Sequence, residues 1–92
     1  MIESFKHKGL ERFFTESDKR AIPAQSAARI ERLLDRLEAS IKADNMDLPG
    51  NKFHALKEGR AGEYAVTVTG NLRITYRFDA PHATAVNLED DH

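Results

Sequence analysis

Apolar residues recur along this chain with two different periods, and the change comes at Gly50. Upstream of it the spacing is helical. Leu10, Phe13 and Phe14 fall at i, i+3 and i+4, which predicts a helix over His7–Ser17. The residues before it, Ile2–Lys6, are expected to form a short first strand. Ala27, Ile30, Leu33, Leu34, Leu37 and Ile41 make a longer stripe. They predict a second helix that opens at Pro23, whose missing N–H costs nothing in a first turn, and runs to Ile41. Glu38 and Lys42 would form a favourable i,i+4 pair on it. Asp44–Gly50 then closes the helix, with Pro49-Gly50 as the turn.

Downstream of Gly50 the period becomes two. Lys52–Lys57, Glu63–Thr69, Leu72–Phe78 and Ala83–Glu89 read as four strands. Gly70-Asn71 is a hairpin turn, and Asp79–His82, with Pro81, is another. Alternation sends Phe53, Ala55, Tyr64, Val66, Val68, Leu72, Ile74, Tyr76, Phe78, Thr84, Val86 and Leu88 toward a core. Lys52, His54, Leu56, Arg73, Thr75 and Arg77 fall on the other side. The predicted class is α+β: a first strand and two helices packed on one face of an antiparallel meander, with the second face polar.

Length and composition narrow this picture. The chain has 92 residues, enough for a single domain over 1–92 and for a small core. There is no cysteine, so disulfides and thiolate zinc sites are excluded and a reducing compartment is favoured. Met1–Lys6 has no apolar stretch of the secretory kind, and no run reaches the roughly 20 apolar residues of a membrane span. A cytoplasmic protein without a membrane partner is expected. The net charge of −1 does not suggest a general nucleic-acid binder, but its distribution is uneven. Residues 50–78 hold five basic and two acidic side chains, whereas residues 79–92 hold four acidic and none basic.

The polar face supplies a definite chemistry. Cleaving RNA without a metal needs a group to take the 2′-OH proton, a group to give one to the leaving 5′-oxygen, and cations to balance the phosphorane. Histidine suits the first two tasks and lysine or arginine the third. His54 and His92, with Lys57, Arg60 and Arg73, meet that requirement. Other features have simpler readings. His7 and His82 are expected at the surface, and Tyr64 and Tyr76 in the core. The Gly59/Gly62 loop lacks the Gly-Lys-Ser/Thr ending of a phosphate loop, and no Gly-x-Ser-x-Gly elbow is present. The run Glu89–His92 is too short to supply a metal's first shell, so no metal or other cofactor is expected.

Four segments carry a family resemblance: Leu48–Lys57, Arg60–Glu63, Val68–Arg77 and the terminal Asn87–His92. Together with Ile2–Leu10 and Ile22–Gln25 they resemble the HigB toxins, a branch of the RelE/ParE superfamily, over essentially the whole chain. The resemblance implies a RelE-like fold and a type II toxin: a ribosome-dependent mRNA endonuclease that inhibits translation. It implies neutralisation by a HigA-type helix-turn-helix antitoxin in a hetero-oligomer. It also implies catalytic roles for His54, Lys57, Arg73, Asp90 and His92. Arg60, Arg77, Lys52 and Asp91 are the expected contacts to RNA or ribosome. One position departs from the family pattern. Asp91 stands where the family has a tyrosine, and an aspartate brings negative charge to a phosphate and cannot stack on a base. Activity is therefore conditional: the two histidines act without the tyrosine, another residue replaces it, or the toxin is weakened. The rival expectation is a non-catalytic or ParE-like toxin that acts by binding a partner, the antitoxin or DNA gyrase.

Overall fold

A computed structural model describes residues 1–90. Helix α1 spans Lys8–Glu16, and its ends are fixed by side chain and backbone. His7 is extended, and its Nδ1 accepts the Leu10 N–H at 2.9 Å. The expected surface histidine is thus the N-cap of α1, satisfying an amide that has no partner within the helix. Ser17 ends the helix in the left-handed region, at φ 57°. Leu10 and Phe13 bury the inner face.

After Pro23, one 3-10 turn (Ala24–Ser26) leads into helix α2, Ala27–Ala39. Ala27, Ile30, Leu33, Leu34 and Leu37 are buried as the periodicity requires. The stripe overestimates the helix at its end. Ser40 is extended, and Ile41 is 63% exposed. Asn45 is the physical reason, because its Oδ1 accepts the N–H groups of both Ile41 and Lys42, at 2.9 and 3.0 Å. Those amides gain a partner outside the helix, and the chain turns into a 3-10 segment, Ala43–Met46. Met46, and not Ile41, is buried in the core. Lys42 is off the helix, so the expected pair with Glu38 does not form on it. Glu38 Oε1 accepts the Ile2 N–H at 2.7 Å instead.

The four strands are β1 (His54–Ala55), β2 (Glu63–Thr67), β3 (Leu72–Asp79) and β4 (His82–Asp90), antiparallel and in that spatial order. Several elements differ from expectation. The Ile2–Lys6 strand is reduced to two parallel bridges, Ile2 to Ala83 and Phe5 to Val86. Ala85 interrupts it: at φ 50° it turns its N–H away from the ladder and onto Ser4 Oγ, 2.9 Å away. The same residue makes a bulge in β4 opposite β3, between the pairs Thr75–Asn87 and Arg77–Thr84. The bulge shifts the parity of β4, so Ala83 enters the core and Thr84 pairs with Arg77 on the polar side, contrary to the simple alternation. β1 is short because Lys52 takes φ 49° and the chain leaves the sheet after Ala55. Ala55 is consequently exposed rather than in the core. Phe53 is half-buried, its ring 5.7 Å from that of Tyr64. The first hairpin is wider than two residues, since the N–H groups of Val68 and Thr69 both reach Leu72 O, at 2.8 and 3.0 Å.

The core lies between the helices and one sheet face. Val66, Ile74, Tyr76 and Val86 meet Leu10, Ile30, Leu33, Leu34, Leu37 and Met46 there. The Tyr76 hydroxyl donates to Ala43 O at 2.9 Å, so the buried phenol is satisfied. Burial pushes its pKa well above the ordinary 10. Among the described residues no helix is long and apolar enough to cross a membrane.

Gly9 marks where α1 packs most tightly against the segment that follows it. A Cβ there would lie 2.3 Å from Ala21 Cβ and 3.0 Å from the His7 ring. Gly9→Ala is expected to lose about 1–3 kcal/mol of stability to overpacking, despite alanine's helix propensity advantage of about 1 kcal/mol. Urea unfolding checks this, and a variant as stable as the parent would contradict the close approach.

Candidate functional site

Sheet register assigns the polar face directly, because cross-strand partners point to the same side. Three rows result: Glu63–Arg77–Thr84, His54–Ala65–Thr75–Asn87 and Thr67–Arg73–Glu89. His54, Arg73, Thr75 and Arg77 thus share one face, as alternation predicts. From two strand spacings across and one row along, the backbones of His54 and Arg73 stand about 12 Å apart. Side chains of their length can approach one phosphate group from opposite sides.

His54 is exposed, and its Nδ1 lies 2.9 Å from Lys52 O. A carbonyl oxygen only accepts, so Nδ1 carries the hydrogen and, in the neutral ring, Nε2 holds the lone pair. The left-handed conformation of Lys52 is part of the turn that sets this carbonyl beneath the ring. Lys52 and Lys57 are exposed on either side of β1.

The polar face is not open in the way its sequence suggests. Ala65 and Thr75 lie on it and are 0% and 1% exposed, because a charged cluster covers them. Glu89 is the centre of this cluster. Arg60 grips it with a fork, Nη1 to Oε1 at 3.0 Å and Nη2 to Oε2 at 2.5 Å. Arg73 donates to Oε1 from Nη2 at 3.1 Å and from Nε at 3.3 Å. Thr75 Oγ1 and Asn87 Nδ2 reach Oε2 at 3.2 and 3.3 Å. Arg60 also binds Glu63, through Nε at 3.2 Å and Nη2 at 2.8 Å, and Arg77 stands 3.8 Å from the same carboxylate. Among the described residues, Arg60, Arg73 and Arg77 are thus tied together through Glu63 and Glu89.

The cluster sets its own ionisation. Hydrogen bonds from Arg60 are the main reason that the Glu89 pKa falls from the ordinary 4.5 to about 2, with Arg73 and Thr75 adding to the effect against the cost of burial. Glu63 is lowered too, chiefly by Arg60, and Arg60 is held more firmly protonated by both partners.

The predicted site residues separate into groups. His54, Arg73 and Arg77 are brought onto one face, with Arg60 folded over it from the β1–β2 loop. Asp90 pairs with Leu72, so alternation puts it on the helix side of the sheet, opposite to Glu89, at an exposed position. Asp91 and His92 lie outside the described residues. Glu89 and Asn87 are the residues of this group that sequence reasoning misses; Thr75 is placed on the face but given no role. A signal was present, since a strand with Val86 and Leu88 inward must put Asn87 and Glu89 on the polar face that Arg73 shares.

Residues 3–92 match the family model described as the RelE-like toxin of the type II toxin–antitoxin system HigB. The chain is 37% identical, over the full length of both proteins, to Endoribonuclease HigB of Proteus vulgaris. Its fold is similar to that of the YoeB/ParE toxin from Agrobacterium tumefaciens, with a TM-score of 0.68, complete coverage of both chains and 14% identity. The last comparison bears on the fold alone and agrees with the RelE-like α+β arrangement.

A carboxyl with a folded-state pKa below its unfolded value binds fewer protons when folded. The stability it contributes is full above about pH 4.5 and is lost as pH falls through about 2. Unfolding free energy measured over this range is expected to fall less steeply in Glu89→Gln than in the parent. Parallel curves would show that Glu89 has no such role.

Proposed function

The chain belongs to the HigB family of RelE-like toxins of type II toxin–antitoxin systems, and from that premise we propose how it cuts RNA. As a member it is a toxin with an antitoxin partner and mRNA endonuclease activity. Cleavage depends on the ribosome, which holds the message in the decoding site against the polar sheet face. One toxin domain, residues 1–92, carries the whole activity.

The observation that carries the mechanism is the geometry of His54. With Nδ1–H held by Lys52 O, Nε2 presents its lone pair from an exposed strand that shares a face with Arg73. His54 Nε2 takes the proton of the ribose 2′-OH. The 2′-oxygen attacks phosphorus, and the bond from phosphorus to the 5′-oxygen breaks. That oxygen receives a proton from protonated His92, leaving a 2′,3′-cyclic phosphate and a 5′-hydroxyl. Asp90 orients the tail that bears His92. Lys57 and Arg73 balance the charge of the phosphorane, where positioned cations contribute most. Lys52 and Arg77 supply the surrounding positive field, Arg60 is engaged by Glu63 and Glu89, and Asp91 is the RNA contact that replaces the family's tyrosine. No cofactor takes part. The protein acts in the cytoplasm, and a HigA-type helix-turn-helix antitoxin neutralises it by forming a hetero-oligomer.

Primer extension on message in a translating extract tests this reading. The parent protein is expected to cut, and His54→Ala and His92→Ala to cut about 10²–10⁴-fold more slowly, as for loss of a general base or acid. Intact message with the parent, or unchanged cutting by either variant, overturns the assignment. DNA damage without loss of translation would point instead to a gyrase-directed binding toxin.

A further inference from the structure

We infer that Arg60 and Glu89 form a latch that positions the two halves of the active site relative to each other. The inference rests on the ribonuclease reading for its catalytic consequence, but not for the latch itself. The first half of the site is His54 on β1 and Lys57 on the loop beyond it. The second is Arg73 on β3 and the end of β4, which leads into Asp90 and the last residues. A loop, residues 56–62, joins the halves. Residues 56–62 contain three positive-φ positions, Glu58 at 51°, Gly59 at 84° and Gly62 at 94°. Two backbone bonds tie this loop to the start of β2, Leu56 N to Glu63 O and Glu63 N to Arg60 O. They fix its base.

Arg60 adds a long-range restraint. It leaves the loop, passes the start of β2 and reaches Glu89 on β4, 29 residues away in sequence. Its Nε, Nη1 and Nη2 are each engaged by Glu63 or Glu89. This use of the guanidinium suits a fixture within the protein rather than an outer contact to RNA. The other end of the latch is rigid. Thr75 is buried, and with Asn87 and Arg73 it holds the Glu89 carboxylate against the sheet. Glu89 is therefore an anchored post and not a lid that a phosphate would displace.

The shared oxygen makes the latch sensitive. Arg60 Nη1 and Arg73 Nη2 both donate to Glu89 Oε1. Neutralising Glu89 removes the carboxylate that Arg60 and Arg73 share. The loop then lifts, carrying Lys57 away and loosening the approach to His54. Misplacement by about 1 Å can cost roughly 10²-fold in rate. Glu89 and Arg60 are thus positioning residues.

Amide hydrogen exchange across residues 57–62 tests the latch without reference to catalysis. Glu89→Gln and Arg60→Ala are each expected to speed exchange there by about tenfold, and the double variant no further. Arg20→Ala, which breaks the exposed ion pair with Asp18, is the control and leaves exchange unchanged. If Glu89→Gln fails to fold, Arg60→Ala breaks the same link from an exposed loop. Loop exchange equal to the parent's in the folded variants overturns the latch. In the translating extract, Glu89→Gln is expected to lower kcat about 10–100-fold with KM unchanged or reduced. Unchanged kcat would overturn the positioning role, and higher activity would assign Glu89 to electrostatic repulsion of RNA. A parent protein that cuts no message sinks the ribonuclease reading alone, and the exchange data still decide the latch.

Discussion

The parity of β3 is the constraint on which the rest of the molecule depends. Ile74 and Tyr76 are buried beneath α2 and Met46, so Arg73, Thr75 and Arg77 must stand on the other side of the same strand. A slip of one residue would bury three polar side chains and expose two large apolar ones. The neighbouring strands inherit this choice through their register. β2 brings Glu63 beside Arg77, and through Ala65 it brings His54 into line with Thr75. The chemistry on the polar face is therefore fixed by apolar packing on the opposite face, which takes no part in it.

A sheet face bearing three arginines needs anions, and two glutamates meet that need at different cost. Glu63 is the cross-strand neighbour of Arg77 and close to Arg60 in sequence, so local geometry accounts for it. Glu89 comes from β4, and its place beside Arg73 is decided by the strand's bulge. Ala85 inserts one extra residue, which exchanges the sides taken by Ala83 and Thr84 while leaving Asn87 and Glu89 on the polar face. Much of the basic character of residues 50–78 is neutralised within the protein, leaving the exposed Lys52 and Lys57 as the basic flanks of His54.

Most of the fold was legible in the sequence because burial imposes a period. The Ile30–Leu37 stripe, the change of period at Gly50 and the alternation in β3 each report which side of an element faces the core. The misreadings fall where a side chain offers the backbone a competing partner. Asn45 draws the amides of Ile41 and Lys42 out of α2, Ser4 draws the amide of Ala85 out of the ladder, and His7 caps a helix where only a surface residue was expected. Such bonds are single and local, and periodicity does not record them. The HigB family was also legible, since its motifs lie in contiguous segments.

By itself, the sequence determined the α+β class, the polar face and the presence of His54 and Arg73 on it, because alternation along one strand needs no knowledge of any other. Only the tertiary structure decided how those groups are held. The tautomer of His54 depends on a carbonyl turned toward it by Lys52, and the fixing of Arg60 and Arg73 depends on a carboxylate brought from another strand. Both follow from backbone geometry and long-range register. Neither is encoded in the period of a single element.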